Sequence, residues 1–597
     1  MTKRKSPGRQ TREPVASAAP ESESRKQKRQ RGPRPAEPPP RYGPSPAAIR
    51  ETIESVVIAF VLAFLVRTFE AEAFVIPTGS MAPTLMGRHK DLACPKCGYE
   101  FQVSASEEVN QDGVEKGPAY QVVGCTCPMC RYPMDISNTN KYPSYKGDRI
   151  LVDKLVYQFR EPRPWDVAVF RYPGSADVNY IKRLVGMPKE TIRVQHGDIY
   201  FKGEGETEFR IRQKGPEKLL AMLQPVFDNN LMPKIMEYGF PARWRPWPSP
   251  EGSSAGAWEP LDNYRSYESG GAAAGEAWLR YENRVPCARH WQDVERKGSL
   301  PEGENVEPQL ISDFSGYNAG RDALSVLSPN RAAESQGLGL HWVGDLAVQC
   351  TLEVNSDEGQ ALFELVKGGR RFQCQIDIGS GEATLAIDGE TALDIDGQQY
   401  SLPPPKQTRV HGRGKHKIMF ANCDEQLLLW VDGSLVHFDG EARYPPLGNT
   451  QPEESDLAPV AVGSRGAALE VSDLKVLRDI YYIAAEVTRR NDPRRGPLAE
   501  KLEEPPLTEQ ILSDPNKWPN AFDSDYYVEF ALEADQFLAL GDNSAKSKDS
   551  RMWGEDGLNY FVKRELLIGK AFYIYWPHSW DRPLPFFPNF RRMHFVR

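Results

Sequence analysis

Histidine is scarce in this chain, with nine residues among 597, and none of them stands in a recognisable Ser-His-Asp motif. A histidine-activated serine is therefore not expected. Charge of one sign is not in large excess either, because 74 Lys and Arg oppose 82 Asp and Glu, which gives a formal net charge of −8. This balance predicts no nucleic-acid partner for the chain as a whole. The sequence also shows no internal repeat and no clustered Asp/Asn calcium motif.

Long apolar runs are almost absent, and the one that exists is Ser55–Val66. Counted from Thr52 to Phe69 it is long enough for a helix of about 27 Å, so we predict a single transmembrane anchor over residues 51–70. Two alternatives stay open at this point. The run and the small residues Ala71–Ala73 also fit a cleaved secretory signal, and a buried core helix is the third interpretation.

The first 50 residues contain thirteen Lys and Arg but only four Glu, and they are rich in Pro, Ser and Ala. Such a composition cannot bury enough apolar surface to fold, so we predict a disordered cytoplasmic tail over residues 1–50 that touches anionic lipid. Nucleic-acid binding by this tail is the less favoured alternative. If residues 51–70 enter a membrane, the bulk of the chain lies outside the cytoplasm.

The rest of the chain predicts a mostly-β protein. Short alternating or apolar runs at 148–157, 166–172 and 180–187 are typical of strands. From residue 310 to 478, short strands alternate with turns, and Asp432-Gly433 predicts a two-residue hairpin. We expect a β-sandwich (jelly-roll-like) insert here, which resembles laminin-G or concanavalin-like domains. Residues 203–309 are predicted as an insert or linker region and 479–524 as a linker, before strands return at 525–597.

One serine stands on a Gly-containing bend that follows the apolar run. It is Ser80, in the stretch FVIPTGSMAPTL (Phe74 to Leu85), with Pro77 and Pro83 on either side. A serine hydroxyl needs a base to become a nucleophile, and a lysine can be that base only when it is neutral. Burial favours the neutral form, so the base should lie in an apolar strand. Lys182 in NYIKRLVGM fits, although an ordinary exposed strand lysine is the alternative.

Four sequence boxes occur in order after the apolar run: PTGSMAPTL, GDRILVDK, DVAVFRYP with YIKRLVGMP, and GDNSAKSKDSRMWG. Together they resemble the bacterial type I signal peptidases, over residues 50–202 and 525–597. The resemblance implies a membrane-bound serine endopeptidase that removes N-terminal signal peptides from exported preproteins and needs no cofactor for catalysis. It also implies a single-pass protein of the inner (plasma) membrane, with a catalytic domain built from residues 71–202 and 525–597 outside the cytoplasm.

The resemblance assigns a role to individual residues. The nucleophile falls on Ser80, the general base on Lys182, and the oxyanion hole on Thr78 together with the backbone N–H of Ser80. Ser547 matches the serine that orients the lysine. The residues that match the structural support of this region are Gly541, Asp542, Asn543, Asp549 and Arg551.

In the family, substrates carry small residues one and three positions before the cut. An apolar pocket that is too small for a large side chain excludes it by clash. The extended substrate is expected to pair with strand edges near 76–78 and 180–182. The residues expected to line the pockets are Ile76, Pro77, Met81, Leu85, Tyr180 and Ile181.

Five of the nine cysteines cluster between the first two boxes, as CPKCG and CTCPMC. Two C-x-x-C pairs have the spacing of a tetrahedral zinc site, so we predict a zinc-ribbon-like insert at 94–130, with Cys94, Cys97, Cys127 and Cys130 as ligands. Disulfides and free thiols are the alternatives, and Cys125 is a fifth thiol. The other four, Cys287, Cys350, Cys374 and Cys423, are expected to be buried small hydrophobes.

The sequence does not indicate what the predicted insert at residues 310–478 does. The insert is expected to bind a carbohydrate, peptidoglycan or a partner protein, or to act as a rigid spacer. Two rivals to the leading hypothesis follow: a self-cleaving Ser–Lys peptidase of the repressor type, and a membrane-tethered binding protein that uses the lectin-like insert.

Overall fold

A computed structural model gives the structure of the chain. It describes residues 46–65, 71–110, 113–247, 258–271, 275–301, 303, 305–318, 339, 341–395, 398–448, 450–484, 505–522, 526–577 and 589–597. The prediction for the tail therefore falls almost wholly outside the described residues. The chain divides into two compact units, Met1–Phe64 and Leu65–Arg597, which are described separately.

The first unit contains one helix, α1, over Pro46–Leu65. Pro46 begins it, as the fixed φ of proline suits a first helical position. Apolar side chains project from the helix, with Ile58 66% and Phe60 72% exposed. Within the described part of the chain, no helix reaches the combined length and hydropathy of a membrane span. The predicted anchor over 51–70 extends past the described end of α1, and it stays a prediction.

The second unit is rich in strands, which confirms the predicted mostly-β class. Its helices are short: α2 Val156–Phe159, α3 Pro216–Met222, α4 Ala288–Lys297, α5 Pro505–Leu512 and α6 Trp518–Ala521. The strands before residue 300 are β1 Ala71–Val75, β2 His89–Ala93, β3 Glu100–Ser104, β4 Gly124–Thr126, β5 Pro133–Asp135, β6 Arg149–Asp153, β7 Val167–Tyr172, β8 Ser175–Gly186, β9 Thr191–Gln195, β10 Asp198–Lys202, β11 Arg210–Ile211, β12 Gln224–Asp228, β13 Trp244–Trp247, β14 Glu259–Leu261, β15 Ser266–Gly270 and β16 Ala277–Tyr281. The later strands are β17 Leu346–Val354, β18 Gln360–Lys367, β19 Arg370–Asp377, β20 Glu382–Ile387, β21 Ala392–Ile395, β22 Gln398–Ser401, β23 Lys406–Gln407, β24 Gly414–Cys423, β25 Gln426–Val431, β26 Ser434–Leu435, β27 Val460–Arg465, β28 Ala468–Arg478, β29 Tyr527–Ala531, β30 Gln536–Leu540, β31 Val562–Lys563 and β32 Leu567–Trp576.

One sheet joins the two distant parts of the chain that the sequence boxes mark. Its strand order is β1-β6-β32-β7-β8-β30-β31, so strands from residues 71–186 alternate with strands from 536–576. The run Val167–Phe170 is buried at every position, as expected for a strand covered on both faces. A smaller sheet, β11-β10-β9-β29, is assembled from the same two parts of the chain.

Two larger sheets form a sandwich between these parts. Their orders are β14-β15-β28-β17-β24-β25-β26, with β12 also on β28, and β13-β16-β27-β18-β19-β20-β23. A single apolar core with members from both sheets includes Leu352, Phe363, Phe420 and Val462. The predicted hairpin is present, because β25 pairs with β26 across Asp432 and Gly433, whose φ angles are 51° and 75°.

The sandwich begins earlier than the predicted boundary at residue 310. Strands β12 to β16, from residues 224–281, pair into both of its sheets. The linker interpretation rested on residues 240–275, which are rich in Pro, Gly, Ser and Ala. Proline is tolerated here because Pro246 lies on β13 and Pro260 on β14, which are the end strands of their sheets.

A buried lysine joins the sandwich to the smaller sheet β11-β10-β9-β29. Lys214, just after β11, donates to Asp424 and to Asp479, each at 2.7 Å. All three side chains are almost completely buried. Removing one member of such a group would leave an uncompensated buried charge, so the contact holds the two regions in one arrangement.

Candidate active site

The turn that carries Ser80 lies between β1 and β2. Gly79–Met81 form one turn of 3-10 helix, entered from Thr78 in an extended conformation with φ −119° and ψ 155°. The N–H of Ala82 donates to the carbonyl of Gly79 at 3.1 Å and closes the turn. Ser80 is 7% exposed. Its hydroxyl therefore faces protein groups more than bulk water. We call Gly79–Met81 the nucleophile turn.

Lys182 reaches this hydroxyl from β8. Its Nζ donates to Oγ of Ser80 at 2.6 Å and to the carbonyl of Ile181 at 3.2 Å. Strand β8 is held in register on one side by β7, where Ala168 lies opposite Lys182. On the other side β30 pairs with β8 from Arg183 onward. The structure therefore brings together the predicted nucleophile and base, which are 102 positions apart.

Burial lowers the pKa of Lys182 to about 8. The carboxylates of Asp549 and Asp542 act in the opposite direction, and the guanidinium of Arg551 lowers the pKa further. Burial dominates because the charged ammonium loses its hydration. At pH 7 a pKa of about 8 leaves about a tenth of the lysine neutral. The neutral amine can accept the proton of the serine hydroxyl.

The loop after β30 supports the nucleophile turn from the other half of the sheet. A Cβ atom on Gly541 would lie 2.4 Å from the carbonyl oxygen of Ser80 and 2.2 Å from Oγ of Ser547. Only glycine allows the two backbones to approach so closely. The next support is Asn543, whose N–H donates to Ser80 O at 3.1 Å and whose Nδ2 donates to Gly79 O at 3.0 Å. The backbone that carries the Ser80 hydroxyl is thus fixed by hydrogen bonds.

Two residues that the sequence did not indicate complete this support. Asn318 donates from Nδ2 to Oδ1 of Asn543 at 2.8 Å and accepts from Nδ2 of Asn543 at 2.7 Å. Tyr317 packs on the turn so closely that a Cβ on Gly79 would lie 2.3 Å from the Tyr317 ring. No local pattern marks either residue, although both lie within residues 310–478, the range predicted for the insert.

A buried ion pair lies beside the site. Arg183 donates from Nε and one terminal nitrogen to the two carboxylate oxygens of Asp542, at 2.7 and 2.6 Å, and neither side chain is exposed. Thr84 donates to the same carboxylate at 2.5 Å. Neighbouring residues of β8 thus make two different contacts: Lys182 binds the hydroxyl of Ser80, and Arg183 binds the carboxylate of Asp542. Thr84 was missed by the sequence analysis, although it lies within the first box.

Asp549 and Arg551 form a second buried pair. Arg551 donates to both carboxylate oxygens at 2.8 and 2.7 Å, and Asp549 accepts the N–H of Gly541 at 3.0 Å. Burial raises the pKa of Asp549, but the Arg551 charge and hydrogen bonds outweigh it, and the pKa lies below its ordinary value. The hydroxyl of Ser547 is buried and helps to lower the pKa of Asp549, whereas the hydrogen bonds of Lys182 among the described residues go to Ser80 and Ile181.

The remaining predicted residues divide by exposure. Thr78 is exposed at the start of the nucleophile turn and makes no side-chain capping bond. Pro77 is also exposed, and Tyr180 and Ile181 are half-buried on β8. Ile76, Met81 and Leu85 are buried in the core below the turn. Since Met81 and Leu85 have no exposed surface, they form the floor of the turn and do not face a groove.

Four of the five clustered cysteines converge. The sulfur atoms of Cys94, Cys97, Cys127 and Cys130 lie within 4.8 Å of one another, and none of the nine cysteines forms a disulfide. Cys125 is buried but lies outside this group. Of the four others, Cys350, Cys374 and Cys423 are buried as expected, whereas Cys287 is only half-buried at the start of α4.

Comparison with known proteins gives consistent matches. The family model described as signal peptidase, peptidase S26, matches residues 49–109, 117–233 and 494–576. Signal peptidase I of Leptolyngbya laminosa is 27% identical over 199 residues, which are 31% of this chain and 69% of that protein. Signal peptidase I of Pseudomonas aeruginosa is 37% identical over 86 residues, which are 12% of this chain and 30% of that protein. The matched segments contain Ser80, Lys182 and Asn543.

Solved structures align with this chain only weakly. The carbohydrate binding module CBM66 from Bacillus subtilis aligns with 39% of this chain and 95% of its own, at 6% identity and a TM-score of 0.20. Galectin LEC-6 from Caenorhabditis elegans aligns with 22% of this chain and 83% of its own, at 11% identity and a TM-score of 0.16. Likeness at this level carries no argument, so the ligand of the predicted insert stays a prediction.

Proposed function

The chain belongs to the signal peptidase family, peptidase S26, and from this premise we propose that it is a serine endopeptidase that removes signal peptides from exported preproteins. One observation carries the proposal: the 2.6 Å hydrogen bond between Nζ of Lys182 and Oγ of Ser80. Both groups are buried, and the pKa of Lys182 is lowered to about 8. These are the conditions under which a lysine serves as a general base.

In the proposed reaction, the neutral amine of Lys182 accepts the hydroxyl proton while Oγ of Ser80 attacks the scissile carbonyl carbon. The carbonyl electron pair moves onto oxygen in the tetrahedral intermediate. Its collapse breaks the C–N bond, and the ammonium of Lys182 returns the proton to the leaving amine. A water molecule, deprotonated by the same amine, then attacks the ester carbon of the acyl-enzyme. The C–Oγ bond breaks, and the ammonium of Lys182 returns the proton to Oγ of Ser80.

The oxyanion would be stabilised by the backbone N–H of Ser80 and the hydroxyl of Thr78. The exposure of Thr78 beside the turn, and the absence of a capping bond from its side chain, support this role. Donors fixed in advance where negative charge develops stabilise the transition state by several kcal/mol. The hydrogen bonds from Asn543 to the turn would keep these donors in place.

The substrate is proposed to bind as an added strand. Among the described strands, β30 pairs with β8 only from Arg183 to Gly186, and the substrate would pair with the part of β8 that precedes Arg183, near residues 180–182. Residues 76–78 lead into the nucleophile turn and would form the opposite side of the groove. A half-buried Ile181 at this edge would favour small residues near the scissile bond.

Attachment to a bilayer belongs to the same proposal. Helix α1 exposes apolar side chains such as Ile58 and Phe60, and large exposed apolar surfaces mark contact with membranes or partners. An anchor in the bilayer would place the peptidase where preproteins emerge. Lipid and preproteins are the proposed partners.

The test is cleavage of a preprotein with an Ala-x-Ala site by the full-length protein in detergent, with the product's new N-terminus mapped by mass spectrometry. We expect wild type to cut after the second alanine, and Ser80→Ala and Lys182→Ala to lose activity about a thousandfold or more. Lys202→Ala, on β10, is the matched strand-lysine control and should keep wild-type activity. Folded wild-type protein without cleavage would refute the proposal and favour a tethered binding protein.

A further inference from the structure

We propose that Cys94, Cys97, Cys127 and Cys130 bind a structural zinc ion, and that the segment Phe314–Asn318 links this metal site to the nucleophile turn. We call Phe314–Asn318 the connecting segment. The metal site itself does not depend on the proposed peptidase function. Only an effect of metal on turnover would rest on that function.

The two halves of the site repeat one local structure. The sequences are CPKCGY from Cys94 and CPMCRY from Cys127. In each, the residue after the second cysteine donates its N–H to the carbonyl of the first cysteine, from Gly98 and from Arg131, both at 2.9 Å. Each first cysteine donates in turn to the tyrosine carbonyl, at 2.9 and 3.0 Å. Two equivalent turns thus present two sulfurs each toward a common centre.

The sulfur geometry fits a tetrahedral ion. Zinc–sulfur bonds of about 2.3 Å place the four sulfurs of a tetrahedral site about 3.8 Å apart. The Cys94–Cys130 and Cys97–Cys127 sulfur pairs lie 3.5 and 3.7 Å apart, and no pair of the four exceeds 4.8 Å. Thiolates are soft ligands that favour zinc over calcium or magnesium. Four protein ligands leave no open position, so the ion would be structural.

The second cysteine turn contacts the connecting segment directly. Arg131 has φ 56°, a conformation that usually favours glycine, and the equivalent position of the first turn is Gly98. Unlike glycine, Arg131 has a side chain that contacts the connecting segment: its guanidinium carbon lies 3.3 Å from the centroid of the Phe314 ring. A Cβ on Gly316 would lie 2.9 Å from Cδ of Pro128. The cysteine turn and the connecting segment are therefore in close contact at two points.

The other end of the connecting segment contacts the nucleophile turn. Tyr317 packs on Gly79, and its carbonyl accepts the N–H of Ser104 at 2.8 Å. Asn318 is paired with Asn543, which holds the carbonyls of Gly79 and Ser80. A change in the cysteine turn would thus reach the nucleophile turn through two packed contacts and one hydrogen-bonded pair.

The metal itself is tested first, on the full-length protein purified in detergent. We expect about one zinc ion per chain by elemental analysis in wild type, and its loss in Cys97→Ser. Cys125→Ala, which removes the fifth thiol, should keep the zinc. Replacement with Co²⁺ should give the absorption of a tetrahedral tetrathiolate site. Metal-free wild type, stoichiometric iron, or zinc that persists in Cys97→Ser would overturn the assignment.

The link is tested by hydrogen–deuterium exchange of peptides covering residues 76–86. We expect exchange in the nucleophile turn to become about tenfold faster after zinc is removed by a chelator, and also in Arg131→Ala, which retains all four thiols. Lys141→Ala removes an exposed cation–ring contact with Tyr142 in the same region and is the control. Exchange in the hairpin 426–435 should not change in any sample.

This readout separates the inference from the peptidase proposal. Faster exchange of 76–86 in protein without peptidase activity would still support the link. Equal exchange in wild type, zinc-free protein and Arg131→Ala would overturn it, even in an active enzyme. If Cys97→Ser does not fold, the chelated wild type and Arg131→Ala provide the comparison.

Discussion

Asn318 and Asn543 exchange two side-chain amide hydrogen bonds, of 2.8 and 2.7 Å, although they lie 225 positions apart. Asn543 belongs to the last box of the peptidase sequence, and Asn318 to the inserted part of the chain. The same Nδ2 of Asn543 also donates to the carbonyl of Gly79 at 3.0 Å. The insert therefore takes part in holding the nucleophile turn.

The first prediction concerns this pair. Asn543→Ala should lower kcat about tenfold or more with little change in KM, since it frees the turn without touching the substrate. Asn318→Ala should have a smaller effect of the same kind. In a double-mutant cycle the two changes should couple by about 1 kcal/mol. Asn355→Ala, in an exposed loop of the sandwich, is the control. Effects that simply add within about 0.3 kcal/mol would show that the pair does not act as a unit.

The second prediction concerns the close approach at Gly541. In Gly541→Ala the new methyl group would meet Ser80 O at 2.4 Å, so the nucleophile turn must move. A displacement of about 1 Å can lower the rate about a hundredfold. The control is Gly215→Ala, because a Cβ there meets nothing within 4 Å and φ is −61°. Steady-state kinetics beside thermal unfolding distinguish a displaced site from an unfolded protein. Normal turnover in Gly541→Ala would contradict the observed packing.

The third prediction concerns pH. A base must be neutral to accept a proton, and burial lowers the pKa of Lys182 to about 8. The neutral fraction, and with it kcat/KM, should therefore rise as pH increases through about 8 and level off above it. The profile is measured on the full chain with a peptide substrate that has no titrating group in this range. Lys202→Ala should leave the midpoint unchanged. A rate that falls across this range would exclude a neutral lysine base.

The fourth prediction concerns stability. Arg183 and Asp542 are both fully buried, so Asp542→Asn should destabilise the folded protein by about 3–5 kcal/mol, because an uncompensated charge stays inside. The matched control is the exposed pair Lys189–Glu204, at 2.9 Å with 59% and 72% exposed side chains. Glu204→Gln should cost less than about 1 kcal/mol. Urea unfolding of both variants makes the comparison, and equal losses would refute the burial argument.

The pairing of Ser80 with Lys182 was predictable from sequence because four sequence boxes occur in one order and together resemble a known family. A serine on a bend or a lysine in an apolar strand alone would not have been enough, since an ordinary exposed lysine was the alternative for Lys182. The hairpin at Asp432-Gly433 was predictable from a local pattern, since two neighbouring residues with positive φ favour this residue pair.

What the sequence did not predict depends on contacts between distant segments. Asn318 and Tyr317 lie in a stretch whose apolar residues follow neither the helix nor the strand period. Their role depends on contacts with Asn543 and Gly79, which are distant in sequence. The extent of the sandwich was missed because residues 240–275 are rich in Pro, Gly, Ser and Ala. Proline argues against a strand unless that strand lies at the end of a sheet, as β13 with Pro246 does. Burial of Met81 and Leu85 likewise follows from the packing of the whole sheet.

The alternation of early and late strands in the main sheet also bears on the order of synthesis. Strands β30 to β32 and the support at Gly541–Asn543 come from the end of the chain, 359 positions after Arg183 in the case of Asp542. A nascent chain carries both Ser80 and Lys182 long before it contains the residues that hold them. The hydrogen bonds that hold the nucleophile turn can therefore form only after residues 541–543 have been synthesised, and a translation product that stops before them would hold an unsupported serine and lysine.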